Sequence, residues 1–267
     1  MRARFPIILI ASSLALSACG GGGSEEAGGE GGTEGSGSEL ALVQPGTLTV
    51  CADVPFPPFA FEEGGEYTGF DMELMEEISS GMGLDLQVKD IGFEGLQSGA
   101  ALAANTCDIG AAAMTITEDR EENIDFSDPY YDSLQSLLVA ADSGIKSLED
   151  TAGKTIAVKQ GTTGETYAQE NAPESAEVRA YPSNSELYPA LESGAADAVM
   201  MDLPSNLQHL EDGKFVIAEK YDTGEQYGFP VQEEGSEALL KEVNAQLAEL
   251  RENGTYDKLY DKYFSEQ

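Results

Sequence analysis

The chain contains the same strand-and-loop unit twice, and this repetition restricts its fold more than any other feature. Gly46–Phe56 (GTLTVCADVPF) and Gly153–Thr163 (GKTIAVKQGTT) each begin with glycine, continue as an alternating β-branched strand and end in a polar loop. Leu96–Thr115 and Leu191–Asp202 form a second matched pair, in which a helix ends at Ser-Gly and a short apolar strand follows. Strands that alternate with helices indicate βαβ units and a parallel sheet. Two sets of these units predict two α/β lobes.

Helical periodicity supports this α/β pattern. Phe70–Gly83 places Met72, Met75, Ile78 and Ser79 on one face, and Gly81 or Gly83 is the expected stop. Ser236–Phe264 is predicted to form a helix, a turn at Asn253-Gly254 and a second helix. Its leucine stripe is the pattern of a packed helix, and nothing in it is typical of a recognition helix.

The N-terminus is typical of an export signal. Arg2 and Arg4 form a short positive region, and the apolar run that follows is too short to span a bilayer. Leu16–Cys19 (LSAC) resembles a bacterial lipobox, in which the cysteine is lipidated and becomes the mature N-terminus. We therefore predict a lipoprotein signal over residues 1–19 with the lipid on Cys19; an ordinary secretory signal is the alternative.

The next segment, residues 20–45, is rich in glycine and glutamate and is predicted to be a disordered tether. The whole chain carries 49 acidic against 14 basic residues, a formal charge of −35. Nucleic-acid binders present basic patches, so this charge argues against a nucleic-acid partner.

Several common catalytic and metal motifs are absent from the sequence. Ala152–Thr155 (AGKT) lacks the first glycine of a phosphate-binding loop, because that position is Leu148. The single histidine, His209, has no cysteine nearby. We expect no metal site, no cofactor and no catalytic residue.

Arg120 is the most unusual charged residue of the chain. It lies in the segment Met114–Arg120 (MTITEDR), where a strand end, a threonine cap and the first turn of a helix are predicted. A helix dipole disfavours a cation in that turn. Two interpretations remain from position alone: Arg120 pairs with its acidic neighbours, or its guanidinium grips a carboxylate from a ligand bidentately.

Six motifs in order resemble the solute-binding proteins of bacterial ABC importers, specifically family 3, which binds polar amino acids. The resemblance covers residues 46–264, and the lipobox agrees with it. It implies the two-lobed type II periplasmic-binding (Venus-flytrap) fold with two hinge crossings. The motifs are ADVPFPPFAF (Ala52–Phe61), YTGFDMEL (Tyr67–Leu74), CDIGAAAMTITEDREENIDFSDPYY (Cys107–Tyr131), KSLEDTAGKTIAVKQGTT (Lys146–Thr163), LESGAADAVMMD (Leu191–Asp202) and LRENGTYDKLYDKYF (Leu250–Phe264).

The resemblance implies how the ends of an amino acid are held. Arg120 matches the carboxylate clamp, with the hydroxyl and backbone of Thr115 beside it. Thr163 matches a backbone N–H donor to the same carboxylate. The Ala113 carbonyl and the Asp202 carboxylate match the groups that hold the α-ammonium. Asp202 in isolation is equally consistent with a turn former.

The resemblance also implies a side-chain pocket, closest in pattern to glutamine-binding members. Phe56 and Phe93 match aromatics that enclose the ligand side chain, although each also fits an ordinary core position. Asp53 and Lys159 match positions that face a distal amide. Met201 departs from that pattern, which has histidine there, so glutamate, asparagine, aspartate and other polar amino acids stay open.

The resemblance places the strands that carry Cys51 and Cys107 side by side. We therefore predict a disulfide between them; two buried free thiols are the alternative.

Taken together, the sequence predicts a monomeric receptor on the outer face of the cytoplasmic membrane that captures a polar amino acid, with glutamine favoured, for an ABC permease. An enzyme on the same scaffold, similar to cyclohexadienyl dehydratase, and a ligand-sensing module are the alternatives. The predicted division is residues 46–129 plus 227–264 for the first lobe, 135–224 for the second, and 130–134 and 225–226 for the hinges.

Overall fold

The computed structural model describes residues 40–210 and 212–265. The predicted signal, the lipidation site Cys19 and most of the predicted tether lie outside these residues. Within them, no helix combines the length and the apolarity needed to cross a membrane. The strands are β1 Thr47–Ala52, β2 Phe61–Glu63, β3 Glu66–Thr68, β4 Asp85–Asp90, β5 Ile109–Gly110, β6 Ile124–Phe126, β7 Tyr131–Ala140, β8 Thr155–Lys159, β9 Glu177–Tyr181, β10 Ala198–Asp202, β11 Phe215–Tyr227 and β12 Pro230–Gln232.

Most of the α-helices lie between these strands, as the alternating pattern predicts, and the last two follow the final strand. A short 3₁₀ helix at Leu148–Thr151 precedes β8. The α-helices are α1 Phe70–Gly81, α2 Phe93–Gln97, α3 Ala100–Ala103, α4 Glu118–Glu121, α5 Thr163–Asn171, α6 Asn184–Glu192, α7 Leu203–Leu207, α8 Glu237–Glu252 and α9 Thr255–Phe264.

Two five-stranded sheets form the two lobes. The first lobe is built on the order β4-β1-β5-β12-β6 and the second on β11-β7-β10-β8-β9. In each sheet, three neighbouring strands are parallel and the remaining strands pair antiparallel. The fold is therefore α/β and two-lobed, with the carboxyl ends of β1, β8 and β10 available for a site.

The chain joins the two sheets through paired segments. β7 and β11 run antiparallel in the second sheet, and their paired ends meet at Tyr131↔Tyr227 and Ser133↔Glu225. The predicted hinge segments 130–134 and 225–226 fall in this pairing. α9 covers it, because the Tyr256 hydroxyl donates to the Tyr130 carbonyl.

Local predictions agree with most of these elements. Met72, Met75, Ile78 and Ser79 are buried on α1, and Leu239, Val243, Leu247 and Leu250 are buried on α8. The predicted direct step from Ser98-Gly99 into a strand is wrong, because α3 lies between them.

The folded body begins before the predicted end of the tether. Leu40 and Leu42 pack against the core of the first lobe, and the Val43 N–H donates to the Asp108 carboxylate at 2.6 Å. The glycine-rich composition that defines the tether stops before these apolar residues, so burial of their side chains offsets the entropy of ordering them.

Cys51 and Cys107 are joined by a disulfide, with their Cα atoms 5.7 Å apart. Cys51 lies at the end of β1, and Cys107 precedes β5, which pairs with β1. The bridge fixes the central strand pair of the first lobe beneath the loop that contains Asp53.

Candidate functional site

Arg120 is buried at the junction of the two lobes. Thr117 caps α4 by accepting a hydrogen bond from the Arg120 N–H at 3.3 Å, which fixes where this residue leaves the helix. Its guanidinium donates from Nη1 to the Thr115 carbonyl at 2.6 Å and from Nη2 to the Gly161 carbonyl at 3.0 Å. The guanidinium therefore turns inward to main-chain carbonyls, whereas the neighbouring Glu118 is exposed.

Burial makes this position costly for a cation. It lowers the pKa of Arg120 to about 10, and the carboxylates of Asp202 and Glu225 oppose that change by favouring the charged form. A cation held at such a cost, next to a cavity, is available to pair with an anionic ligand group.

The side-chain end of the site is polar, charged and enclosed by two aromatic rings. Lys159, the last residue of β8, forms a buried ion pair with Asp53, which follows β1. The Lys159 ammonium lies 5.2 Å from the Phe56 ring centroid and 5.1 Å from that of Phe93. The Arg120 guanidinium lies 5.3 Å from the Phe93 centroid. Each cation therefore has an aromatic face in addition to its polar partners.

Asp202, the last residue of β10, supplies a buried carboxylate from the second lobe. The Gln135 amide on β7 donates both to Asp202 and, at 3.1 Å, to Glu225. Burial first, and then the Glu225 charge, raise the pKa of Asp202 to about 7, although hydrogen bonds from Tyr227 and Gln135 oppose this. An ammonium placed beside Asp202 would favour its ionised form.

The main chain at Ala113 has a left-handed conformation, with φ of 46°, which is uncommon for a residue other than glycine. Its N–H donates at 2.7 Å to Asp71, a fully buried carboxyl group in the first turn of α1. The Tyr130 hydroxyl donates to the same carboxyl at 2.8 Å. Burial raises the pKa of Asp71 to about 7 in spite of both bonds. Asp71 thus ties the cavity wall to the predicted hinge.

One cavity collects nine of the ten sequence-predicted ligand residues, and the tenth, Asp53, contacts it through Lys159. Its volume, about 10 Å³, corresponds to roughly one water-sized sphere. The lobes are therefore closed on each other, and a molecule of amino-acid size requires them to separate. The nine are Phe56, Phe93, Ala113, Thr115, Arg120, Lys159, Thr163, Met201 and Asp202.

Three buried polar residues of this region were missed by sequence reasoning. Asp71 precedes Met75 by one helical turn on the buried face of α1, and that spacing was a usable signal. Gln135 and Glu225 gave no such signal, because they lie on strands that meet only in the folded chain. The isolated His209 stacks on the Tyr188 ring at 3.6 Å between centroids, away from the cavity.

Comparison with known proteins identifies the family. The family model "Bacterial extracellular solute-binding proteins, family 3" matches residues 48–266. The ABC transporter glutamine-binding protein GlnH of Bacillus subtilis (strain 168) is 33% identical, with 100% of this chain and 98% of that protein covered. The L-cystine-binding protein TcyJ of Escherichia coli (strain K12) is 32% identical over 82% of this chain and 83% of that protein.

A solved structure shares both fold and sequence with this chain. It is an ancestral arginine-binding protein bound to glutamine, with a TM-score of 0.77 and 36% identity, and the match covers 83% of this chain and 99% of that one. The fold class and the six motifs agree with these findings. The chain belongs to the bacterial extracellular solute-binding proteins, family 3.

Proposed function

We propose that this protein binds one polar amino acid outside the cytoplasmic membrane and delivers it to the permease of an ABC importer. The observation that carries the proposal is the pairing of Arg120 and Asp202, buried groups of opposite charge from different lobes that line one cavity. A zwitterion satisfies both groups only when the lobes close on it. Binding therefore favours the closed state, which is the form that a transporter can distinguish from the empty receptor.

The ligand side chain is proposed to be neutral and polar. The ion pair of Lys159 and Asp53 presents a donor and an acceptor with no net charge. An amide can accept from Lys159 and donate to Asp53, whereas a charged side chain would leave one of the pair with a like charge beside it. Asp202 and Glu225 add negative charge to the site, which disfavours an acidic ligand further. Among the amino acids that the sequence left open, this favours glutamine or asparagine over glutamate and aspartate.

A thermal-shift panel over the standard amino acids tests the proposal. A true ligand at 1,000 times its Kd should stabilise the protein by about 4 kcal/mol, which is a clear increase in melting temperature. We expect the largest shift with glutamine, and calorimetry then gives the affinity. A panel in which no amino acid shifts the melting temperature would refute the function, and a largest shift with glutamate would refute only the ligand class.

The variant Lys159→Met tests the proposal that the ligand side chain is neutral and polar. It removes the ammonium and leaves Asp53 as an unpaired carboxylate in the pocket. We propose that this variant loses affinity for glutamine and gains affinity for arginine or lysine, whose cationic side chain can replace the ammonium. A glutamine affinity equal to that of the wild type would contradict this use of the pair.

We further propose that the protein acts as a monomer without a catalytic step, held to the membrane by a lipid on Cys19. The carboxylates beside the cavity are each held by hydrogen-bond donors or a cation, which suits recognition of a ligand. Chromatography of glutamine after incubation with the protein checks for turnover, and the appearance of a product would favour the alternative that the protein is an enzyme. Mass spectrometry of the N-terminal peptide from isolated membranes checks the lipid.

A further inference from the structure

Glu225 is the most connected buried side chain near the cavity, and neither the sequence motifs nor the clamp described above give it a role in binding. It lies on β11 within the paired crossing segments and is 8% exposed. Its carboxylate accepts hydrogen bonds from the hydroxyls of Thr115 and Thr163, both at 3.0 Å, and from the Gln135 amide at 3.1 Å. Thr115 belongs to the first lobe and Thr163 to the second.

The chemistry of these partners fixes the direction of each hydrogen bond. A carboxylate only accepts, and a threonine hydroxyl has one proton to donate. The Thr115 and Thr163 hydroxyl protons are therefore both directed at Glu225. The Thr163 oxygen also accepts from Gln135 at 3.3 Å, so its bonds are made within the protein. The Thr115 hydroxyl lines the cavity, and its proton is used in the hydrogen bond to Glu225. It therefore presents only lone pairs to a ligand.

We propose that Glu225 is a positioning residue of the binding site: it accepts the hydrogen bond that the Thr115 hydroxyl donates, and this leaves the lone pairs of that hydroxyl oxygen to accept from the α-ammonium of the ligand. This inference rests on the proposed amino-acid binding and changes one expectation of the sequence, which placed the Thr115 hydroxyl beside the ligand carboxylate. The main-chain N–H of Thr115 is unaffected by this argument. The α-ammonium then has a hydroxyl acceptor from the first lobe and the Asp202 carboxylate from the second.

The negative charge of Glu225 also favours an ammonium at this position. Glu225 and Asp202 share the Gln135 amide, so a second negative charge lies close to the proposed ammonium position. Arg120 is the cation that faces both carboxylates, and the Tyr227 hydroxyl lies near them as a neutral donor. A cation placed between Thr115 and Asp202 is therefore favoured over a neutral group.

A purely structural Glu225 would behave differently. If it only held the two crossing strands and the lobes together, its loss would lower the affinity for every ligand by the same factor. If it acts through Thr115 on the ammonium, its loss lowers the affinity for ligands that carry the ammonium more than the affinity for ligands that lack it. The ratio of two affinities therefore separates the two roles, whereas a single affinity does not.

The test compares L-glutamine with 4-carbamoylbutanoate, which is glutamine without its ammonium, by calorimetry or competition. In the wild type we expect glutamine to bind far more tightly. In Glu225→Met, which removes both the acceptor for the Thr115 hydroxyl and the negative charge, the ratio of the two affinities should fall by about tenfold or more, because a favourable interaction with the ammonium is lost on one ligand only. Asp222→Asn is the matched control, since it removes an exposed carboxylate on the same strand, and its ratio should stay within about twofold of the wild type.

A second pair of variants keeps the test decisive if Glu225→Met does not fold. Thr115→Val removes the hydroxyl and should reduce the same ratio, whereas Thr115→Ser keeps the hydroxyl and should restore it. A ratio unchanged in Glu225→Met, or equal in Thr115→Val and Thr115→Ser, overturns the inference while amino-acid binding stands. If the wild type binds neither compound, the proposed glutamine-type ligand fails, and the inference fails with it.

Discussion

Replacement of Arg120 by methionine separates the binding role of this residue from its role in the fold. Methionine keeps an unbranched side chain near the Phe93 ring, which lies 5.3 Å from the guanidinium. It removes the charge and the two hydrogen bonds to the carbonyls of Thr115 and Gly161. The unliganded protein and the ligand complex should respond in different ways.

The unliganded protein should lose little stability. Burial lowers the pKa of Arg120 from its usual value to about 10, so the charged group destabilises the folded state at neutral pH, by roughly 3 kcal/mol. The sign follows because neutral pH lies below both pKa values, where the group is charged in both states and is held less favourably in the folded one. Two hydrogen bonds from a charged donor contribute roughly 3 kcal/mol in the opposite direction. These effects nearly cancel, so the free energy of unfolding should change by less than about 2 kcal/mol.

The affinity of Arg120→Met for the amino-acid ligand should fall strongly. Removing one partner of a desolvated charge pair costs about 2–5 kcal/mol, so the Kd for glutamine should rise by roughly 30-fold to several thousand-fold. Calorimetry with glutamine measures this change, and urea unfolding measures stability. Arg179→Met is the matched control, because the Arg179 side chain is 42% exposed and is paired with Glu177, and neither residue lines the cavity.

Two outcomes would refute the reasoning. A Kd for Arg120→Met within about threefold of the wild type would show that Arg120 does not hold the ligand carboxylate, since any lost charge pair exceeds that change. A loss of stability well above 2 kcal/mol, with affinity falling only in proportion to the unfolded fraction, would show that the residue is structural.

Two further predictions concern buried groups away from the clamp. The double substitution Cys51→Ala and Cys107→Ala opens a loop of 56 residues and should lower the free energy of unfolding by about 4 kcal/mol, measured in urea; equal midpoints with and without the bridge would contradict this. Asp71 has a pKa raised from 3.8 to about 7, so its contribution to stability is present below pH 4 and is lost as the pH rises to 7 and above. The unliganded wild type should therefore lose stability over this window, by up to roughly 4 kcal/mol from this group, and Asp71→Asn should flatten the urea midpoint against pH; equal slopes would contradict it.

Local sequence signals predicted the parts of the site that depend on local structure. Thr117 caps α4 and fixes the position at which Arg120 leaves the helix, because capping acts within one helical turn. Lys159 and Asp202 each end a predicted strand, and the carboxyl ends of strands meet at one edge of a sheet. The family motifs were needed to bring these residues, which lie on different lobes, into one site.

The network around Glu225 could not be predicted in this way. Gln135 and Glu225 are 90 residues apart in sequence, and both look like ordinary polar residues of exposed strands. Asp71 was hidden for another reason, because an acidic residue in the first turn of a helix is favoured by the helix dipole without any burial. Its spacing to Met75 places it on the buried face of α1, and the packing of α1 against Ala113 and Tyr130 encloses the carboxyl group.

Several polar contacts join the two lobes around the cavity, and they bear on how a ligand can control closure. Arg120 reaches Gly161, Lys159 reaches Asp53, and the Asn184 amide donates to the Pro55 carbonyl at 3.1 Å. Each of these groups bonds to water when the lobes separate, so each contact contributes only about 1 kcal/mol or a little more to the closed state. These polar contacts add only modestly to the stability of the closed state, so the additional contacts of a zwitterion with Arg120 and Asp202 raise the closed population. A large apolar interface would hold the lobes closed in either case and would remove the signal that distinguishes a loaded receptor from an empty one.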